Sequence, residues 1–324
     1  MRYFKVLILL LIFTSAYAQD TKLLLSKKLI SLSETPIYSK ITEDIDGQIE
    51  FKKQFKYLED IDLYSITYLS DELKIKGLLV KPKVIDKKLP CIIYNRGGNQ
   101  EFGLLKIAHG AITLGQIAKE GYVVIASQYR GNAGSEGKEE FGGKDVNDVT
   151  ILTDVLKEIE GANTAKIGMY GWSRGGMMTY IALTKTDKIK AVVVGGAISD
   201  NFSSIKDRPE METGVLSELI PNYADNKNAE LIKRSAIKWA DKFPKDVPIL
   251  MLHGNSDWRV KPEQSLKLAL EFEKNRIPYR LIMFEGGDHG ISEHRKEVNE
   301  QVISWFDKYL KNDEQLPNME YHGR

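Results

Sequence analysis

Residues 166–178 read KIGMYGWSRGGMM, and positions 171–175 form a Gly-x-Ser-x-Gly motif between a short apolar run and a helical pattern. A serine nucleophile on a tight strand-to-helix turn needs small neighbours, because the backbone bends sharply there. In that position the hydroxyl of Ser173 points away from the sheet, and the backbone N–H of Arg174 can donate to a developing oxyanion. Such a motif arises by chance in about one chain in ten of this composition, so partner residues must decide its meaning.

The overall composition gives little support to several classes of function. The 324 residues carry a formal net charge of +1, which does not favour a nucleic acid or an anionic membrane surface as partner. Cys91 is the only cysteine and lies in an apolar run, so we predict no intramolecular disulfide and a buried thiol. The length suffices for one large α/β domain.

The first 18 residues have the layout of a secretory signal peptide. Arg2 and Lys5 precede an apolar run at 6–13, and Ala-Tyr-Ala follows at 16–18. The apolar run is too short to cross about 30 Å of hydrocarbon, so we expect no stable membrane anchor. We predict cleavage before Gln19 and export to the periplasm or the extracellular space.

The remaining chain predicts one catalytic domain over 61–312, preceded by an extension of helix and loop (19–60) and followed by a tail (313–324). Two β-prone runs, 61–69 and 73–81, predict an antiparallel hairpin at one edge of a sheet. Six short hydrophobic runs typical of buried strands follow at 91–94, 122–127, 167–170, 191–194, 249–252 and 279–284. Helical patterns lie at 105–119, 146–159, 177–184, 262–275 and 298–310.

This alternation predicts an α/β fold of the α/β-hydrolase type, with a mostly parallel sheet and helices on both faces. In such a sheet, functional residues collect in the loops after the strands' carboxyl ends. The long connection 200–245 is predicted to be a partly helical cap insertion over the serine, although its apolar residues fit an ordinary core equally well.

A serine hydroxyl needs an imidazole to take its proton and an acid to orient that imidazole. His289, between glycines after the last predicted strand, is the best candidate for the base. His109, His294 and His322 fit helical or solvated positions, and His253 fits a local hydrogen bond in its own loop.

Asp257 lies just beyond a strand end and gives the chain order Ser, Asp, His expected of α/β-hydrolases. Asp200, which follows the preceding strand, is the alternative acid. Asp288 is less suitable, because the side chains of adjacent loop residues usually diverge. Neither Asp288 with His289 nor His294 forms a convincing metal-ligand set, and we predict neither metal nor cofactor.

The loops after two other strands face the same predicted edge. We expect the N–H of Gly98, in Asn-Arg-Gly-Gly-Asn at 95–99, to be the second oxyanion donor beside Arg174. Arg96, Tyr129 and Trp172 are candidate substrate-binding residues, with packing the alternative for Trp172. Arg130 fits loop bracing by a carboxylate such as Asp145 or Asp148 better than substrate binding.

These residues resemble the catalytic domain of the prolyl oligopeptidase family of serine peptidases over residues 63–311. The resemblance rests on SDELKIKG at 70–77, RGG at 96–98, YRG at 129–131, GWSRGG at 171–176, HGNSD at 253–257 and GDHG at 287–290. It implies Ser173 as nucleophile, Asp257 as orienting acid and His289 as general base.

The chain departs from the family pattern in two places. Members often carry a β-propeller before the catalytic domain, and residues 19–60 are too short to build one. Where members commonly have Tyr or His before Gly-Gly, this chain has Arg96, which would favour anionic groups or brace the loop.

The resemblance implies an exported serine peptidase that cleaves peptide or amide bonds of a small substrate through an acyl-enzyme. A carboxylesterase that acts on small acyl esters uses the same triad and is the alternative. A non-catalytic binding module on the same fold is the alternative from a different class.

Overall fold

The structure, a computed structural model, describes residues 22–323. The predicted signal peptide therefore lies outside the described residues. Within 22–323 no helix has both the length and the apolar character needed to cross a bilayer.

Nine strands form the central sheet in the order β1-β4-β5-β7-β6-β8-β9-β10-β11, and β2 pairs with β3 in a separate hairpin. Neighbouring strands among β6, β8, β9, β10 and β11 run parallel, and β7 is also parallel to β6. On its other side β7 pairs antiparallel with β5, which in turn pairs antiparallel with β4. The strands are β1 Leu24–Leu29, β2 Thr42–Ile45, β3 Gln48–Phe51, β4 Ile61–Ser70, β5 Leu73–Pro82, β6 Leu89–Asn95, β7 Val123–Ser127, β8 Ala162–Trp172, β9 Ile189–Gly195, β10 Ile249–Gly254 and β11 Tyr279–Phe284.

Helices cover both faces of this sheet. They are α1 Tyr38–Ile41, α2 Ile107–His109, α3 Gly115–Ala118, α4 Asn147–Thr150, α5 Leu152–Val155, α6 Arg174–Leu183, α7 Asn201–Asp207, α8 Ser217–Leu219, α9 Tyr223–Lys233, α10 Glu263–Asn275 and α11 Arg295–Phe306. A π-helical turn, Gly110–Leu114, joins α2 to α3, and a second, Asp307–Lys311, extends α11. The α/β-hydrolase architecture expected from the sequence is confirmed.

The central strands are continuous apolar runs because both of their faces are buried. Two hydrophobic clusters result, one on each side of the sheet. Cys91 on β6 belongs to the first, and burial raises the pKa of its thiol to about 12. At neutral pH the thiol stays protonated, so Cys91 is a packing residue.

The N-terminal extension differs from the prediction of helix and loop. It contributes β1, which pairs antiparallel with β4, so the hairpin β4–β5 is real but does not form the sheet edge. The backbone N–H groups of Leu23 and Leu24 donate to the carboxylate of Glu158, at 2.6 and 3.1 Å. Only Leu24 of this strand is buried, so the sequence has no hydrophobic alternation that would predict it. The strand forms because it pairs with β4.

The connection 200–245 packs mainly as core. Its buried apolar side chains join the cluster that lies under β9 and β10. They include Leu216, Ile220, Tyr223, Leu231, Trp239 and Phe243. Of the two roles that the sequence left open for these residues, the structure shows the core role.

Candidate active site

Ser173 lies on a sharp turn between β8 and α6, with φ 57° and ψ −123°. A non-glycine residue rarely adopts this backbone conformation, which is held here by hydrogen bonding and close packing. The Ser173 N–H donates to the carbonyl of Gly195 at 2.8 Å. Gly175 is required because a Cβ there would collide with the carbonyl oxygen of Asn95. The turn therefore presents the serine side chain at the carboxyl edge of the sheet.

His289 and Asp257 meet at the same edge. The Nδ1–H of His289 donates to Oδ2 of Asp257 over 2.7 Å, which leaves Nε2 as the basic nitrogen. The other carboxylate oxygen, Oδ1, accepts from the N–H groups of Arg259 and Val260 at 2.8 and 3.0 Å. Burial of Asp257 raises the pKa of its carboxyl, but hydrogen bonds from His253, His289 and Val260 outweigh it and leave that pKa well below the ordinary range.

The two loops that carry this pair are fastened to each other. The N–H of Ser256 donates to the carbonyl of Gly287 at 3.0 Å, and the N–H of Gly286 donates to the Asn255 side chain at 2.7 Å. Gly254 has no room for a Cβ, which would collide with the Gly287 carbonyl. The relative position of Asp257 and His289 is thus set by backbone contacts.

Ser173 and His289 line one cavity of about 1130 Å³. The indole N–H of Trp172, the residue before the serine, donates to the backbone carbonyl of His289 at 2.9 Å. Gly196 packs against the imidazole ring, since a Cβ on it would lie 3.3 Å from the ring. The candidate base and the candidate nucleophile thus line the same cavity.

The predicted oxyanion donors lie in the turn after Ser173 and in the loop after β6. The N–H of Arg174 belongs to the first turn of α6, where backbone N–H groups have no partner within the helix. Gly97 and Gly98 line the cavity in the loop after β6, and a Cβ on Gly97 would lie 3.2 Å from the Cβ of Ser173. Gly98 has φ 73°, which favours glycine.

Comparison with known proteins identifies the family of this chain. A model of the prolyl oligopeptidase family matches residues 112–313, more than half of the chain. The chain belongs to the prolyl oligopeptidase family. It is accordingly a serine hydrolase, and peptidase action is favoured over esterase action.

Individual relatives agree with this family assignment. An uncharacterised peptidase of Bacillus subtilis, YtmA, is 28% identical over 255 residues, which cover 78% of this chain and 95% of that protein. Dipeptidyl-peptidase 5 of Porphyromonas gingivalis is 24% identical over 242 residues, covering 70% of this chain but 34% of the relative. Acylaminoacyl peptidase of Pyrococcus horikoshii shares the fold, with a TM-score of 0.66 at 22% identity over 86% of this chain and 47% of its own.

The other candidate acids and bases in this family member have separate structural tasks. Asp200 caps α7, accepting from the N–H of Phe202 at 3.0 Å. Asp288 accepts from the N–H groups of Gly290 and Ser292 at 2.8 and 2.9 Å, so it shapes the histidine loop.

His253 is buried and hydrogen-bonded to the Val260 carbonyl in the following loop at 2.9 Å and to Ser265 of α10 at 2.7 Å. Its Nε2 also lies 3.2 Å from Oδ2 of Asp257. The sequence predicted the local hydrogen bond but not this second imidazole beside the acid.

A buried ion-pair network behind the oxyanion loop was also missed. The guanidinium of Arg174, fully buried, pairs with Glu139 and, at 2.6 Å, with Asp145, and it donates to the Gly98 carbonyl at 2.9 Å. Glu139 in turn accepts from the N–H of Gln100 at 2.7 Å. The residue after the nucleophile therefore holds the oxyanion loop through its side chain.

Arg96 lines the cavity and Tyr129 lies buried beside it, and the polar groups of both are bonded to the protein. Arg96 is 1% exposed, and its guanidinium donates to backbone carbonyls, including those of Gln128 at 3.0 Å and Phe102 at 3.3 Å. Tyr129 is fully buried, and its hydroxyl donates to the Arg96 carbonyl at 2.9 Å. Both side chains therefore brace loops beside the cavity through these hydrogen bonds. Trp172 is half-buried and does line the cavity.

Arg130 braces the neighbouring loop, as the sequence favoured. Its guanidinium pairs with Asp148 at 2.7 Å and with Asp71 at 2.8 Å. Burial raises the pKa of Asp148, although Arg130 partly offsets the effect. The pairing joins the loop after β7 to the β4–β5 hairpin.

The cavity is also lined by basic residues that the sequence analysis did not single out, among them Arg259. Arg259 lines the cavity, with its guanidinium carbon 5.5 Å from the ring centroid of Phe102 and 5.4 Å from that of Trp258. A guanidinium held between aromatic rings offers N–H donors to carbonyl or carboxylate groups. The sequence feature that could have indicated Arg259 is its position two residues after Asp257. Within 22–323 no three His, Cys, Asp or Glu side chains are arranged to hold a metal ion.

Proposed function

We propose that this chain is an exported serine peptidase that cleaves a peptide or amide bond through an acyl-enzyme on Ser173. The observation that carries the proposal is the 2.7 Å contact between His289 and Asp257 at the cavity that also holds the strained Ser173 turn. A nucleophile, a base and an orienting acid are the three groups that acyl transfer to a serine requires.

In the first half of the proposed reaction, Nε2 of His289 takes the proton of the Ser173 hydroxyl as Oγ bonds to the substrate carbonyl carbon. The oxyanion that forms accepts hydrogen bonds from the N–H groups of Arg174 and Gly98. The imidazolium then gives its proton to the leaving nitrogen, and the C–N bond breaks. Asp257 stays ionised throughout and stabilises the imidazolium.

The second half repeats these steps with water. His289 takes a proton from the water, whose oxygen attacks the acyl carbon, and the collapse of the second tetrahedral intermediate returns the proton to Oγ of Ser173. The products are a carboxylic acid and the free enzyme. No cofactor enters this scheme.

The substrate class is proposed from two supports. The family to which the chain belongs is one of peptidases, and the cavity carries N–H donors suited to carbonyl groups. Small peptides are therefore the proposed substrates, with Arg259 and Trp172 as wall residues. Export is supported by the pattern of residues 1–18.

The test is hydrolysis of matched aminoacyl amides and acyl esters by the purified chain from Gln19 onward, with Ser173→Ala as the control. We expect both substrates to be cleaved by the wild type and neither by the variant. Ester turnover without amide cleavage would replace the peptidase by a carboxylesterase. Folded wild-type protein that cleaves neither would support a binding module.

A further inference from the structure

The cavity at Ser173 continues as a groove along one face of the sheet. It passes between the helical segment that includes α2 and α3 and the terminal helix α11. The residues that border the groove away from Ser173 include His109, Thr113, Ile117, Val298, Val302 and Ile303. Charged residues also line it, among them Lys119, Glu120, Arg295, Lys296 and Glu300, so the groove offers both apolar and charged surface to a ligand.

Three aromatic rings form the floor of this groove. Tyr94 on β6 lies beside Tyr170 on β8 in the strand register, and their rings meet edge to face at 5.4 Å. Trp172 is two residues beyond Tyr170 on the same strand, hence on the same face, at 6.3 Å. The three rings thus form a row that runs from Trp172, next to Ser173, into the groove.

The hydroxyl groups of the two tyrosines on this floor are not hydrogen-bonded to other residues within 22–323. Tyr94 is 6% exposed and Tyr170 7% exposed, yet within residues 22–323 neither hydroxyl has a hydrogen-bond partner. Burial raises the pKa of Tyr94 to about 12 and raises that of Tyr170 further, so both keep their protons. Neither hydroxyl is among the buried polar atoms without a partner, so both are open to the cavity that the two residues line and can donate to acceptor groups of a ligand.

Both helical segments beside the groove contain a π-helical turn. Gly110–Leu114 interrupts the segment from α2 to α3, and Asp307–Lys311 extends α11. The Tyr57 hydroxyl donates to the Ala111 carbonyl within the first turn at 3.0 Å. Such turns occur frequently at functional sites.

His289 and Gly290 border the groove at its upper end. Because the leaving group of an acyl transfer takes its proton from the base, the substrate part nearest His289 is the leaving-group side. We propose that the groove binds the leaving-group portion of a peptide substrate, with apolar side chains against its walls and main-chain carbonyls on Tyr94 and Tyr170. This inference rests on the proposed function and narrows its substrates to peptides extended beyond the scissile bond.

The first arm of the test compares substrates that share one acyl part but carry leaving groups of one residue or of three apolar residues. We expect wild-type kcat/KM to be at least about tenfold higher for the longer leaving group. Each of Tyr94→Phe and Tyr170→Phe should reduce that preference about 2- to 10-fold, which is the usual worth of one hydrogen bond. The one-residue substrate should be cleaved as by the wild type.

Tyr180→Phe is the matched control. Its hydroxyl also has no partner within 22–323, but it is buried, and Tyr180 belongs to the cluster on the opposite face of the sheet. Removal of this hydroxyl should leave the preference unchanged. An equal effect of all three substitutions, or no preference in the wild type, would overturn the proposal.

The second arm does not depend on turnover. Binding of an apolar tripeptide with a free amino terminus, the expected leaving product, is measured by calorimetry on Ser173→Ala with and without the two Tyr→Phe changes. Weaker binding by the Tyr variants supports the groove even if amide hydrolysis fails, in which case only the proposed peptidase function is lost. Equal binding, or none, contradicts the groove.

Discussion

His289 Nδ1 lies 2.7 Å from Asp257 Oδ2, and the two residues occupy loops that follow the adjacent parallel strands β10 and β11. Parallel pairing brings both loops to one edge of the sheet, and Ser173 reaches that edge from β8. Side chains that are far apart in sequence are thereby placed around one cavity. The sheet topology thus brings the three candidate catalytic residues to one site.

Replacement of Asp257 by Asn should reduce kcat by about 10⁴-fold with little change in KM. The amide keeps the shape but removes the charge that stabilises the imidazolium, and it favours the wrong histidine tautomer. Asp288→Asn is a matched control, because Asp288 accepts hydrogen bonds only within the exposed part of its loop. Steady-state kinetics with circular dichroism check both variants, and an Asp257→Asn enzyme with nearly wild-type kcat would contradict the assignment of the acid.

Activity and stability should respond to acid in different pH ranges. Activity should fall as the pH is lowered, because a protonated imidazole cannot accept the serine proton. The pKa of Asp257 is lowered in the folded state, so its contribution to the free energy of unfolding is present above the ordinary Asp range near about 3.9 and is lost only below it.

The measurement for this prediction is kcat/KM and thermal unfolding across about pH 4 to 8. We expect reversible loss of activity at about pH 5 in protein that is still folded. A flat activity profile from about pH 5 to 8 would contradict the role of His289.

Glu139→Gln should lower the free energy of unfolding by about 3 kcal/mol, because it leaves the buried Arg174 with one carboxylate fewer. It should also lower kcat, since Glu139 holds Gln100 in the oxyanion loop. Glu136→Gln is the control: its pair with Lys74 is 3.9 Å long and about half exposed, so its loss should cost less than about 1 kcal/mol. Chemical denaturation compares the two, and equal costs would refute a structural role for the buried network.

Trp172→Phe should lower kcat by about 3- to 10-fold through loss of the indole hydrogen bond to the His289 carbonyl. Trp305→Phe is the matched change, because the buried Trp305 indole N–H has no partner among the described residues. Its effect should be on stability and not on kcat. Steady-state kinetics of the two variants test this prediction. An unchanged kcat in the Trp172→Phe enzyme would show that the indole hydrogen bond does not position the base.

The parallel strands were predictable because strands buried on both faces are continuous apolar runs. Their positions, with the glycine-rich loops at the carboxyl edge, led to Ser173, Asp257 and His289 as neighbours. The assignment of Arg130 to loop bracing also followed from its glycine-rich loop and the nearby carboxylates, and the pair with Asp148 confirms it.

Features that depend on distant partners were not predictable from the sequence. β1 exists because β4 offers it an edge, although only one of its side chains is buried. The pairing of Arg174 with Glu139 joins residues 35 positions apart, and no spacing rule predicts it. Tyr129 looked available in a polar loop, but the packing of Arg96 and Arg174 against its ring buries it.

The most direct test of the central claim is covalent labelling by a fluorophosphonate, followed by mass spectrometry of the digested protein. The account predicts a single phosphonyl adduct on the peptide that contains Ser173, no adduct in Ser173→Ala, and much slower labelling in the folded His289→Ala variant. A folded wild-type protein that remains unlabelled, or one that is labelled at another serine, would contradict the claim that Ser173, His289 and Asp257 form one catalytic centre.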